Sequence, residues 1–68
     1  MNDATQTQSP PGPFWRGRDL AAERVRRGLL QREVAARLGL PARRVAAIEA
    51  SWRPTSAIVA RYLDAIEL

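Results

Sequence analysis

Residues 31–49 read QREVAARLGLPARRVAAIE, and the order of small, turning and apolar residues in this stretch decides the fold. Gly39 falls between two apolar-periodic runs, where the chain must turn with positive φ, a conformation that only glycine adopts without steric cost. Ala35 lies four residues earlier, at the point where the following helix crosses closest, and a large side chain there would push the two helices apart. Val34, Leu38, Leu40, Val45 and Ile48 add inward apolar groups at helical spacing. Together they meet the steric demands of a helix-turn-helix, in which two helices cross at roughly 90–120° over a turn of three or four residues.

On either side the pattern stays helical, with breaks at Gly28, Gly39 and Pro54. The spacing predicts a first helix from an Asp19 N-cap to about Arg27, stopped by Gly28 in a left-handed conformation. The second spans Gln31 to Leu38 and is closed by Gly39. A third runs from Pro41 to Ala50, opening on a proline where the missing N–H costs little. After the break Ser51-Trp52-Arg53-Pro54, a last helix runs from about Ser56, its cap, to Glu67. Leu20, Val25, Leu29, Ile58, Val59, Tyr62, Leu63 and Ile66 complete the apolar set. Four short helices with short connectors give an all-α bundle, and no strand-like alternation competes with it. Residues 1–17, MNDATQTQSPPGPFWRG, hold three of the five prolines and no hydrophobic periodicity. They read as a flexible arm before a domain covering 18–68.

Sixty-eight residues make at most one small domain. A chain of about that size buries only roughly 60% of the surface it exposes when unfolded, so its core is marginal. There is no Cys for a disulfide and no His, so the usual zinc ligands are missing. No Gly-rich phosphate loop or nucleophile with a nearby base is present either, so neither enzymatic activity, cofactor nor metal is expected. The basic residues are eleven arginines and no lysine, against seven acids, for a net charge of +4. Leaving out Arg16 and Asp3, residues 18–68 keep ten arginines and six acids, so the surplus sits in the helical body and the arm is neutral. A small basic domain of this kind implies a polyanionic partner. No run of 18 apolar residues exists, and polar residues with Asp3 stand where a signal peptide would be basic and then apolar. No membrane contact and a cytoplasmic location are expected.

The chain resembles the phage repressor/Cro (XRE-type) helix-turn-helix family over about residues 18–68. The matching residues are the Leu20 to Gly28 run with Arg24 and Arg27, then Leu29, Gln31, Val34-Ala35, Arg37-Leu38-Gly39-Leu40, Val45, Ile48-Glu49, Arg53-Pro54, Ser56 and Arg61-Tyr62-Leu63. The resemblance implies a DNA-binding regulator, a repressor acting as a homodimer on a pseudo-palindrome, with the third helix in the major groove. It implies that Gln31 contacts phosphate or the outermost base and that Ala42, Arg43, Ala46 and Ala47 face the groove floor, with Arg44 nearer the backbone. The residues themselves agree, because Val45 and Ile48 pointing inward leave 42, 43, 46 and 47 on or near the opposite face. Arg43 is the strong hydrogen-bonding side chain there and suits guanine O6 and N7, while the alanines read thymine methyls or shape. Leu30 and Pro41 depart from the family's hydroxyl residues, removing two N-cap oxygens each worth about 1 kcal/mol.

The remaining residues carry open alternatives. Arg32 pairs with Asp19 or Glu23 or touches phosphate, and Arg37 pairs with Glu33 one helical turn earlier. Glu49 is expected to be buried at the end of its helix, fixing loop geometry through hydrogen bonds. Phe14 and Trp15, with Arg16 and Arg18 beside them, anchor the arm to the body, meet a partner, or track a DNA groove. Trp52 caps the core, lies in a dimer interface, or stacks on sugar. Tyr62 and Ile66 are core, or are left uncovered on the last helix as a dimer surface. The competing functional class is a protein-interaction module, such as an antitoxin or co-regulator whose arm binds a protein partner.

Overall fold

The computed structural model describes residues 14–67, and the expectation for an arm falls largely on residues 1–13, outside that range. Four helices account for most of the described chain: α1 (Gly17–Arg26), α2 (Gln31–Leu38), α3 (Ala42–Ala50) and α4 (Ser56–Ile66). There is no strand among the described residues. The helices α3 and α4 each pack against both α1 and α2. Leu20, Val34, Ala35, Val45, Ile48, Val59, Tyr62 and Ile66 form one buried cluster between them, with Trp15, Leu29, Leu38, Leu40, Ile58 and Leu63 half-buried around it. None of the helices is long and apolar enough to cross a membrane.

Two glycines set where the first two helices stop, and they do so identically. Both have φ of 72°. Gly28 N–H donates to Val25 O at 2.9 Å and Leu29 N–H to Arg24 O at 3.1 Å; Gly39 N–H donates to Ala36 O at 3.3 Å and Leu40 N–H to Ala35 O at 3.0 Å. Each pair of bonds satisfies carbonyls the helix would otherwise strand, and it requires the left-handed residue that glycine provides.

Helix starts differ from the sequence reading in three places. The first is α1, which opens at Gly17, so Asp19 lies inside the first turn and is not the N-cap. Its carboxylate instead accepts the Arg16 N–H at 2.8 Å. The reason is tertiary: Gly17 N–H donates to Ser51 O at 2.9 Å, and a Cβ on Gly17 would lie 2.5 Å from Glu49 O. Backbone of α1 thus rests directly on the C-terminal end of α3, which only glycine permits. At the second, α3, Pro41 occupies the N-cap position and the helix begins at Ala42. The third is α4, capped by Thr55 rather than Ser56: Thr55 Oγ1 accepts Ile58 N–H at 3.2 Å.

Val25, read as an inward residue of the first helix, is 62% exposed. The inward position one turn after Leu20 is taken by Arg24, which reaches Glu49, and the adjacent residue is rotated about 100° away from the core.

Candidate nucleic-acid interface

The outward surface of α3 is set by what its inward surface must do. Val45 is fully buried and Ile48 nearly so, and this fixes the rotation of the helix. Ala42, Arg43, Arg44, Ala46 and Ala47 are consequently all exposed. Among the described residues neither Arg43 nor Arg44 makes an ion pair or side-chain hydrogen bond within the chain. An open groove of about 260 Å³ runs beside this face, lined by Arg44, Ala47, Ile48, Arg53, Pro54 and Ile58.

Arg32, at the start of α2, is also exposed. Both of its expected acidic partners are engaged elsewhere. Asp19 accepts the Arg16 N–H within the first turn of α1, and Glu23 takes Arg27 at 2.7 Å with Arg26 at 3.7 Å. Arg37 does not pair with Glu33; its guanidinium donates to Ala65 O at 2.8 Å. The Glu33 carboxylate points back to the start of its helix and accepts the Leu30 N–H at 2.7 Å. That bond offsets in part the absent hydroxyl at Leu30, since an N3 acid satisfies one of the first-turn donors.

Behind the exposed face, Glu49 joins α3 to every other helix. Its side chain is 6% exposed. Arg24 from α1 donates through Nε at 2.7 Å and Nη2 at 3.1 Å, Gln31 from α2 through Nε2 at 2.9 Å, and Tyr62 from α4 through its hydroxyl. Arg24 also donates to Leu29 O at 2.8 Å, holding the connector after α1. Burial alone pushes the Glu49 carboxyl up, but hydrogen bonds from Arg24, Tyr62 and Gln31 outweigh it and hold the group below its ordinary value. Burial, then the hydrogen bond to Glu49, pushes the Tyr62 phenol well above its ordinary range. The Arg24 guanidinium is raised chiefly by its hydrogen bonds to Glu49. The sequence reading placed Glu49 in a buried hydrogen-bonding role but did not find its donors. The signal was present: an acid on an inward face needs a buried donor, and Arg24 stands one turn from Leu20 on the inward side of α1.

Gln31 therefore has its amide turned toward Glu49, with one N–H committed there. Tyr62 and Ile66 are both 0% exposed, so the reading that left them as an uncovered dimer surface is corrected. The core is small enough that α4 is covered on this side by α1 and α2 of the same chain.

Phe14, Trp15, Arg16, Trp52 and Arg53 are brought together around one cleft of about 180 Å³. Of the aromatics, Trp15 packs half-buried against the core, whereas Phe14 is 55% and Trp52 66% exposed. Trp52 is thus not a core cap; the Arg16 guanidinium lies over its ring, 3.8 Å from the centroid. Arg53 sits 5.5 Å from the Phe14 ring centroid. Arg18, exposed on α1, borders the neighbouring cleft with Arg16 and Trp52.

No family model, curated protein or solved structure matches this chain.

Proposed function

We propose that this protein is a sequence-specific DNA-binding transcriptional regulator, a cytoplasmic repressor without enzymatic activity, in which α2, the Gly39 turn and α3 act as a helix-turn-helix. The observation that carries this reading is the outward face of α3, where two exposed arginines, without side-chain partners among the described residues, lie between and beside three exposed alanines. An α-helix, about 10–12 Å across with its side chains, fits the roughly 12 Å width of the major groove, and the nine residues of α3 give it about two and a half turns to lie there. Arg43 would read guanine O6 and N7, the methyls of Ala42, Ala46 and Ala47 would meet thymine methyls, and Arg44 and Arg32 would hold phosphates. Gln31 keeps a second amide N–H for a phosphate while its first is held by Glu49. Two copies would bind a pseudo-palindrome as a homodimer, using a surface other than Tyr62 and Ile66.

Selection of bound sequences from random duplex DNA, with a solution mass, tests the proposal. Enriched half-sites about 34 Å apart are the expected result. Arg43→Ala should cost about 1–3 kcal/mol of discrimination at a single base step, while Arg44→Ala weakens all sequences evenly. A pool that shows no enrichment even at low salt would sink the reading.

A second reading, a module whose N-terminal side docks a protein partner as in an antitoxin or co-regulator, is favoured by the exposed Phe14 and Trp52. The two readings use different surfaces.

A further inference from the structure

The cleft between the start of α1 and the α3–α4 connector has a composition unlike the rest of the surface. Its lining is made of three aromatic rings and two guanidinium groups, Phe14, Trp15, Arg16, Trp52 and Arg53, with no acid among them. Four acids are engaged elsewhere: Asp19 by the Arg16 N–H, Glu23 by Arg27, Glu33 by the Leu30 N–H, Glu49 by Arg24. Arg16 and Arg53 are given rings instead of carboxylates.

A guanidinium held over a ring is attracted to the ring's negative face, as Arg16 is at 3.8 Å and more loosely Arg53 at 5.5 Å, and its N–H groups stay available for an oxyanion. The ring thus holds the donor without using its hydrogen bonds. The two exposed rings supply the complementary feature, apolar area that is not desolvated at any polar cost when covered. Trp and Arg together are the residue types that dominate protein interfaces.

From this juxtaposition we propose that the Phe14–Arg16–Trp52–Arg53 cleft is a docking site for an acidic segment of a partner protein. A carboxylate of that segment sits between the Arg16 and Arg53 guanidiniums, and an adjacent apolar side chain covers Phe14 and Trp52. Charge and size choose this occupant. At about 180 Å³, the cleft lies below the roughly 300–1,000 Å³ of small-molecule sites, so it takes a side chain and not a nucleotide. Duplex DNA offers oxyanions but no apolar surface outside its grooves for two exposed rings. The inference rests on the second reading above and is independent of DNA binding by α3.

The test is titration of the full chain with the blocked peptide acetyl-Glu-Leu-Asp-Phe-Glu-amide, followed through the Trp52 indole and the Arg16 and Arg53 Nε–H resonances. Its partner probe has Gln and Asn in place of Glu and Asp, and a short oligothymidylate serves as the nucleic-acid arm. Saturable binding of the acidic peptide is expected, weakened about tenfold or more in the amide peptide, the weight of one charge-assisted hydrogen bond. Trp52→Ala and Arg53→Gln, both at exposed positions, should each weaken it at least as much, and Arg43→Ala should leave it unchanged. Equal binding of both peptides would overturn the acid preference while leaving a protein-docking surface. Absence of any peptide binding, or tighter binding of oligothymidylate, would overturn the docking site itself.

Discussion

On the inward side of α3, Val45 is fully buried, Ile48 is 8% exposed, and Glu49 accepts hydrogen bonds from Arg24, Gln31 and Tyr62 on the three other helices. On its outward side Ala42, Arg43, Arg44, Ala46 and Ala47 are all exposed, and the two arginines are without ion pairs among the described residues. Every inward residue thus has a structural reason to be what it is. The outward arginines have none, and in a chain with no lysine to share the basic surplus that contrast is the best indicator of where function lies. It can be broken from either side, because each face predicts a different response to substitution.

The largest effect belongs to the carboxylate that ties the bundle together. Glu49→Ala leaves Arg24, whose side chain is only 13% exposed, without its counter-charge and strands donors on two further helices. Breaking a buried pair in this way costs about 3–5 kcal/mol, a large share of the roughly 5–15 kcal/mol available to any small domain. Urea unfolding should show the variant's stability lowered by that amount, with a midpoint well below that of the parent chain. A loss below about 1 kcal/mol would mean that Glu49 does not organise the core.

Next comes Gly17, where a Cβ would press against the backbone carbonyls of Ile48 and Glu49. Backbone cannot swing aside as a flexible side chain does, so Gly17→Ala should cost about 1–3 kcal/mol through overpacking. The same substitution would ordinarily favour a helix by up to about 1 kcal/mol. The sign of the measured change therefore separates tertiary contact from intrinsic propensity. If the variant were stabilised, the close approach of α1 to α3 would be disproved.

Acid and alkali probe the same network without mutation. The Glu49 carboxyl is lowered from its ordinary 4.5 in the folded chain, so in the interval below that value the unfolded chain binds the extra proton. Its contribution to stability is present above the ordinary value and is lost as pH falls through the lowered one. Tyr62 behaves oppositely. Its phenol is raised above its ordinary 10, so its contribution is intact below pH 10 and is lost as pH rises beyond it. Thermal unfolding across pH should decline at both ends, and Tyr62→Phe should flatten the alkaline limb and also shrink the acid one, because it removes one of the donors that hold Glu49 low.

How legible these features were depends on the range of the forces behind them. Helix existence, the stops at Gly28 and Gly39, and the orientation of α3 rest on local spacing and on φ, and residues 31–49 carry them openly. Errors arose where distant parts of the chain decide. The Pro-rich context of Gly17 suggested a flexible arm, but a contact with α3 more than thirty residues away starts α1 there. Val25 has the right character for the core and the wrong angle, because Arg24 claims the inward position for a bond to Glu49. Tyr62 and Ile66 share one apolar face of α4 by periodicity, but spacing alone does not say which helices cover that face, and packing of α1 and α2 buries both residues fully. In the candidate site, the exposed set on α3 followed from periodicity, whereas the Arg16–Trp52 stack joins residues too far apart in sequence to be paired by spacing.

The smallest effect is the most informative about the outward face. Replacing Arg43 and Arg44 together by Ala removes two charges from exposed positions and raises helix propensity slightly in α3, since Ala is the best helix former. If no internal interaction holds these side chains, unfolding free energy should change by no more than about half a kcal/mol, and the circular dichroism spectrum should stay the same. A substantial loss would show that the arginines serve the fold, and the contrast between the two faces of α3 would collapse. Retained stability joined to lost DNA binding would instead place the arginines on the functional side of that contrast, because the same substitution would then have separated recognition from folding.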